Sequence, residues 1–230
     1  LGYFSTDFKE HPVAHLIAKV LEKHNRDQFE VFGYSLNSDA QSEIRLRIAK
    51  SFDCFTDVQG MNDGDVALRA RQDKIDIAID LNGYTINSRT GIFAYRAAPI
   101  QINYLGYPGT MGANFMDYMV ADPIIVTPNT KNGYSEKVVY LPHTYQPNDD
   151  SRVISSTVTT KAEMGLPEDG FIFCCFNNNY KISPTEFDIW MRLLDKVEGS
   201  VLWILKPNKF SEHNFKLEAE KRGVKSDRLV

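Results

Sequence analysis

The sequence predicts an α/β protein built on a parallel sheet flanked by helices, and three observations carry that reading. Short strand-like apolar runs alternate with helically patterned segments along the whole chain. One run, 75–81, places Ile75, Ile77, Ile79 and Leu81 as a central strand would. Another, 171–175, is apolar throughout, which reads as a buried parallel strand, and it leads into Ser183-Pro184-Thr185-Glu186, a helix start with Pro at a first helical position.

Taken in order, 1–5 reads as a strand and 12–23 as an amphipathic helix with Leu16, Ile17, Val20 and Leu21 on its apolar face. Strands follow at 29–36 and 54–57, with helices at 42–51 and 65–72. After the central strand, 100–105 is a strand that ends in a glycine-rich loop, and 117–121 and 137–141 are further strands. Between 144 and 160 the chain turns polar, which marks a domain boundary. The expected division is a first domain over 1–150 and a second over 151–230. The second has a strand at 171–175, a helix at 184–197, a strand at 201–205, a helix at 211–222 and a strand beginning near Leu229. So few strands do not complete a doubly wound sheet, so part of the second domain's apolar surface is expected to lack a partner. Trp190 and Trp203 read as core residues rather than as sugar-stacking platforms.

A net charge of −4 over 230 residues gives no electrostatic reason to expect nucleic acid as a partner. No apolar run approaches the ~20 residues of a membrane-spanning helix and no signal peptide heads the chain, so no membrane partner is expected and cytoplasm is the default location. Three cysteines, Cys54, Cys174 and Cys175, do not make a disulfide framework. The chain opens at Leu1 directly in a strand without an initiator Met and stops at Val230 as another strand is due, so it reads as a piece of something longer.

Four groups of residues invite chemistry. In F-N-N-N-Y-K-I-S-P, 176–184, three amides and a lysine lie where a parallel strand hands over to a helix, a place where α/β folds bind ligands. Lys181 is a compact positive charge suited to a phosphate, or else a solvated helix-start lysine. Asp7, His11 and His15 follow the first strand. His11 can exchange protons near neutral pH with Asp7 orienting it, or the group caps the helix. His11 and His15 also have a metal-ligand spacing, but no third ligand is near in sequence and no metal is expected. Leu105-Gly-Tyr-Pro-Gly-Thr-Met-Gly112 allows close backbone approach to a ligand, or is a plain turn between strands. Arg89, in the loop after D-L-N-G-Y-T, is a site residue or a surface salt bridge. No G-x-G-x-x-G follows the first strand and the glycine loop lacks a Walker lysine, so ATP and NAD readings are weak.

F-N-N-N-Y-K-I-S-P, with I-W-M-R-L-L and S-V-L-W-I-L-K after it, resembles the nucleotide-sugar site of the O-linked N-acetylglucosamine transferase family. The resemblance extends from G-Y-F-S-T-D-F-K-E-H-P-V-A-H through F-E-V-F-G-Y-S-L, D-L-N-G-Y-T, R-A-A-P-I-Q, L-G-Y-P-G-T-M-G, M-D-Y-M-V-A-D and S-E-K-V-V-Y-L-P, in order, to Asp227-Arg228. It implies a glycosyltransferase-B fold of two Rossmann-like domains, with the first complete here and the second begun. The short step from Asp150 to Phe171 looks like the bacterial form, because animal members insert a long domain there. By resemblance Asp7 and His11 assist proton removal from the acceptor, His15 supports them, and the backbone at Leu105, Gly106 and Pro108 holds the donor sugar. Lys181 matches the family's diphosphate lysine, Asn178 lies where animal members have Gln, and Arg89 matches an arginine near the active site. Val13 departs from the family's pattern, replacing a Thr hydroxyl.

The function so implied is inverting transfer of N-acetylglucosamine from UDP-N-acetylglucosamine to Ser or Thr hydroxyls of an acceptor protein. No cofactor or metal is expected, the UDP-sugar being a substrate. Tetratricopeptide repeats are expected elsewhere in the parent protein, and none is visible in this chain. Relatives that use GDP-fucose or UDP-glucose, and a non-catalytic remnant or scaffold, are the alternatives, and this stretch alone is expected to have little or no transferase activity.

Overall fold

The computed structural model describes residues 1–37, 42–206 and 208–230. They form two compact units, Leu1–Val153 and Ile154–Val230. The first unit contains β1 (Gly2–Ser5), β2 (Phe32–Ser35), β3 (Cys54–Asp57), β4 (Ile77–Asp80), β5 (Ile100–Asn103), β6 (Tyr118–Ala121) and β7 (Lys137–Tyr140). These seven strands make one sheet in the order β3-β2-β1-β4-β5-β6-β7, and every neighbouring pair is parallel. The chain starts mid-sheet, winds out to β3, then returns to lay β4 against β1. That reversal is the switch point of a doubly wound sheet, where ligands bind outside the carboxyl ends of the strands. The α/β class expected from the alternation is the class observed.

Alternate strand residues feed two cores. Tyr3, Ile79 and Val31 face α1 (Pro12–Glu22) and α2 (Glu43–Lys50), which supply Ile17, Leu21, Ile44 and Ile48. Phe4, Tyr34 and Ala78 face the other way, toward α3 (Asp63–Gln72) and α4 (Gly91–Ala94), which supply Val66, Ala67, Ala70, Ile92 and Phe93. Phe4 is fully buried, stacks on Tyr34 with ring centres 4.5 Å apart and meets Phe93 edge-on at 5.4 Å.

Caps set the helix starts. His11 caps α1, with Pro12 in the first turn, where a missing N–H costs nothing. Asn62 Oδ1 accepts the Asp65 N–H, so α3 begins ahead of the expected 65–72. The four-residue α4 was not foreseen, because one turn is too short to show a period.

The second unit holds β8 (Ile172–Cys175) parallel to β9 (Val201–Ile204), with α5 (Pro184–Lys196) and α6 (Lys209–Lys221). Leu229 bridges in parallel to Leu202, where a third strand was expected to begin. The reading of 171–175 as a buried strand is corrected. Phe171 is 58% exposed and Cys174 is exposed, because β8 pairs with β9 alone and its outward residues are left uncovered. Phe173, Cys174, Cys175, Trp190 and Leu193 line a largely apolar recess on this unit, as expected of an incomplete sheet. Trp190 packs at the edge of the local core, whereas Trp203 is half-buried and meets the exposed Phe176 edge-on at 4.8 Å. Among the described residues no helix is long and apolar enough to cross a membrane.

Truncating Phe4→Ala removes the ring that joins β1 to both β2 and α4. The expected cost is about 3–5 kcal/mol, read as a lower urea midpoint at unchanged m-value. A loss below about 1 kcal/mol would show that the core collapses around the gap.

Candidate functional site

The carboxyl ends of β1, β4 and β5 converge in one buried polar network. After β1 the chain runs Thr6-Asp7, and after β4 it runs Leu81-Asn82-Gly83. Asn82 is 1% exposed and joins the two ends. Its Oδ1 accepts the Thr6 N–H at 2.8 Å, while its Nδ2 donates to Asp7 Oδ2 at 2.7 Å and to Thr6 Oγ1 at 2.8 Å. Ser5 Oγ accepts the Asp7 N–H at 3.0 Å, which fixes the turn. Asp7 Oδ1 accepts no hydrogen bond among the described residues, so this carboxylate is held by one oxygen and open at the other. Its side chain is 12% exposed.

His11 is arranged differently from a base oriented by Asp7. Its Nδ1 accepts the Val13 N–H at 3.3 Å as the cap of α1. A backbone N–H only donates, so the neutral ring carries its proton on Nε2. The separation from Nδ1 to Asp7 Oδ2 is 3.7 Å, which is charge proximity and not a hydrogen bond. His15, one turn on, shares a 2.6 Å contact between its Nε2 and Glu10 Oε1. His11 and His15 line one cleft of about 480 Å³ with Glu10, Pro12, Gln146 and Arg152.

The glycine loop is seated directly on the turn after β4. A Cβ on Gly106 would lie 2.0 Å from the Leu81 carbonyl oxygen, and one on Gly83 would lie 2.5 Å from Tyr107 Cβ. Only glycine permits this approach. Leu105 adopts a φ of 72°, a left-handed conformation unusual for leucine, while its side chain is buried against the α1–α2 core. Asn103 Nδ2 donates to the carbonyls of Tyr107 and Gly109 at 2.9 and 3.1 Å, and the Glu136 carboxylate accepts from Thr110 Oγ1 and the Met111 N–H. No donor reaches the Leu105 or Gly106 carbonyl among the described residues, whereas the Pro108 carbonyl accepts from the Tyr134 hydroxyl at 3.3 Å.

Arg89 donates from Nε to Asp63 Oδ1 at 2.8 Å and from its two terminal nitrogens to the carbonyls of Val58 and Met61. It therefore clamps the loop after β3 to the start of α3. In the second unit Asn178 caps and Lys181 ends a 3-10 turn, Asn179–Lys181, in which the Lys181 N–H donates to the Asn178 carbonyl at 2.9 Å. Both side chains are exposed, and Lys181 has no ion-pair partner among the described residues. Asn179 donates from Nδ2 to Ser211 Oγ at 2.7 Å and Asn177 from Nδ2 to Cys175 Sγ at 3.7 Å, so of the three adjacent amides two are engaged within the unit.

Sequence reasoning passed over Asn82, Asp80 and Asn103. Asp80 closes β4, and its Oδ1 accepts the Asn82 N–H at 2.9 Å. Burial raises its carboxyl to about 6, against weaker lowering by the backbone N–H groups of Asn82 and Gly83. The available signal for Asp80 and Asn82 was the pair of polar residues around Leu81 at the end of an apolar strand.

A doubly wound sheet with polar groups gathered at its switch point defines a Rossmann-type ligand-binding unit. The family model for glycosyl transferase family 41 matches residues 1–156 and 150–230. An Arabidopsis thaliana relative, described as a probable UDP-N-acetylglucosamine–peptide N-acetylglucosaminyltransferase SEC, is 40% identical over all of this chain and 24% of its own length. A Caenorhabditis elegans UDP-N-acetylglucosamine–peptide N-acetylglucosaminyltransferase is 27% identical over 343 aligned positions, with 100% of this chain and 30% of that protein covered. The solved structure of a lysine-to-methionine variant of the Thermobaculum terrenum O-GlcNAc transferase superposes with a TM-score of 0.89 at 28% identity, over 99% of this chain and 43% of that one. The chain belongs to glycosyl transferase family 41, and it spans less than half the length of each of these relatives.

Replacing Asn82→Ala leaves the buried Thr6 N–H and Asp7 Oδ2 without their partner. The expected loss is about 1–3 kcal/mol in chemical denaturation. A change within about 0.5 kcal/mol would mean that water takes over both contacts.

Proposed function

We propose that the protein is an inverting glycosyltransferase that moves N-acetylglucosamine from UDP-N-acetylglucosamine to Ser or Thr hydroxyls of an acceptor protein. The observation that carries this reading is an open carboxylate, Asp7, held by Asn82 at the switch point of a chain that belongs to family 41. The Arabidopsis and worm relatives bear names for that activity. The first unit is assigned the catalytic role and the second the nucleotide sugar, with tetratricopeptide repeats elsewhere in the full-length protein and a cytoplasmic location as parts of the same reading.

The acceptor oxygen attacks the anomeric carbon as the bond from that carbon to UDP breaks, through an oxocarbenium-like state. The hydroxyl proton passes to a base. Asp7 suits that role better than His11, because its free oxygen is available while the His11 Nδ1 lone pair is engaged by Val13. His11, which lines the cleft with its proton on Nε2, is assigned to donate a hydrogen bond to acceptor or donor, and His15 to support it. Backbone at Leu105, Gly106 and Pro108 is assigned to the sugar hydroxyls; the Pro108 carbonyl takes part only by giving up or sharing its bond to Tyr134. Lys181 is assigned the negative charge that grows on departing UDP, and Asn178 a contact beside it. With an ammonium in that position the reading needs no metal ion. Arg89 acts by positioning, through Asp63 and the Val58 and Met61 carbonyls.

In the full-length protein, Lys181→Ala is expected to weaken UDP binding at least tenfold by calorimetric titration and to lower kcat/KM for UDP-N-acetylglucosamine by about 10²–10³. Unchanged UDP affinity would remove Lys181 from the diphosphate site. Asp7→Asn is expected to lower kcat by about 10²–10⁴ with little change in donor KM, and a loss confined to KM would move the base elsewhere. Offering UDP-N-acetylglucosamine, UDP-glucose and GDP-fucose in parallel decides the sugar, and label transfer from either of the last two alone would overturn the donor assignment.

A further inference from the structure

Two buried oxygens without a hydrogen bond belong to neighbouring residues of the sheet. Asp80 and Asn103 close β4 and β5 and are register partners, so their side chains leave the same face of adjacent parallel strands. Asp80 is 2% exposed and Asn103 is fully buried, yet Asp80 Oδ2 and Asn103 Oδ1 have no partner. The amide cannot simply be turned over. Its Nδ2 meets the Tyr107 and Gly109 carbonyls, and a flipped amide would press its oxygen against both. Asn103 Oδ1 therefore needs a donor, and an ionised Asp80 would be a second acceptor beside it. A carboxylic acid supplies the one missing proton.

We propose that Asp80 is kept as a neutral acid whose Oδ2–H donates to Asn103 Oδ1, and that Asp80 is thereby a positioning residue linking the glycine loop to the Asn82–Asp7 pair. The link runs from the Tyr107 and Gly109 carbonyls through Asn103 and Asp80 to the Asn82 N–H, and from the Asn82 side chain to Asp7. Its bearing on catalysis rests on the reading of that loop and of Asp7 given above.

The surroundings favour the acid. Phe4 on β1 is the register partner of Asp80 on its other side, and α3 and α4 pack apolar residues onto the same face. The charged residues of α3 are engaged elsewhere: Asp63 with Arg89, Asp65 with Asn62, Arg69 with Asp73, and Arg71 with the Tyr95 and Arg96 carbonyls. Asp7, reached only through Asn82, is the carboxylate of the same network. Burial already raises Asp80 to about 6, and donation to Asn103 pushes it further the same way. Losing the proton leaves a buried anion against an oxygen. Relief by rotating the amide would release the carbonyls of Tyr107 and Gly109.

The sign follows from linkage. A carboxyl raised from 3.8 to about 6 or above contributes stability that is fully present below 3.8 and is lost as pH rises through the folded value. Asp80→Asn copies the neutral acid, with Nδ2 toward Asn103 and Oδ1 toward the Asn82 N–H. In the full-length protein its melting temperature is expected to exceed that of wild type by on the order of 5 °C at pH 8 and to approach it at pH 5. Wild-type protein at pH 6 is expected to show a protonated-carboxyl infrared band that Asp80→Asn lacks. Donor KM is expected to rise in wild type between pH 6 and pH 8.5 by a factor that Asp80→Asn does not share. A destabilised Asp80→Asn at pH 8 together with no such band would overturn the proposal and point to an ionised Asp80 served by a buried water. If the melting and infrared results hold but no transfer is found, the proton stands and the catalytic reading falls.

Discussion

The need to satisfy buried polar groups where three parallel strands end dominates the first unit. At the mouth of β1, β4 and β5 the backbone leaves its ladder, and its N–H groups must find partners out of reach of water. Asn82 answers most of that need, because a primary amide both donates and accepts. Without it Thr6 would keep an unpaired N–H and Asp7 would lose the contact that sets its direction. The polar cluster is thus a by-product of closing the sheet: the contacts that end the strands cleanly also hold the Asp7 carboxylate by one oxygen.

The doubly wound order places that constraint at the middle of the first unit's sheet. Because β4 returns to the side of β1, residues some 75 positions apart share hydrogen bonds, and the turn after β5 rests on the turn after β4. The apolar cores on the two faces hold the strands in register, and register in turn decides that Asp80 meets Asn103 and Phe4. Packing sets the frame, and the polar ends read it. The second unit lacks this closure. Among the described residues its β8 and β9 pair only with each other and the Leu229 bridge, so the Asn178–Lys181 segment is carried on a half-covered sheet.

Much of the frame was legible because it depends on local period. Alternation at Ile75, Ile77, Ile79 and Leu81, and the helical spacing of Leu16, Ile17, Val20 and Leu21, are properties of a few consecutive residues. Of the candidate site, Asp7, His11 and the glycine loop stand out in the sequence because each follows a strand. Asn82, Asp80 and Asn103 could not, since their importance arises from pairing across strands that no local window contains. The same limit explains Asn179, which read as a ligand amide until α6 brought Ser211 against it. The run 171–175 read as a buried strand although the second sheet was expected to be incomplete, and its exposed residues follow from that incompleteness.

Leu105 carries a consequence for sequence drift. Its backbone is left-handed, which favours glycine or asparagine, yet its side chain fills the core beside α1. Glycine would relieve the torsion and empty the core, and valine or isoleucine would keep the volume while worsening the clash at Cβ. Tolerated variation at this position narrows to apolar residues unbranched at Cβ, with methionine the foremost, so the loop's shape limits which neighbours in sequence space the protein can visit.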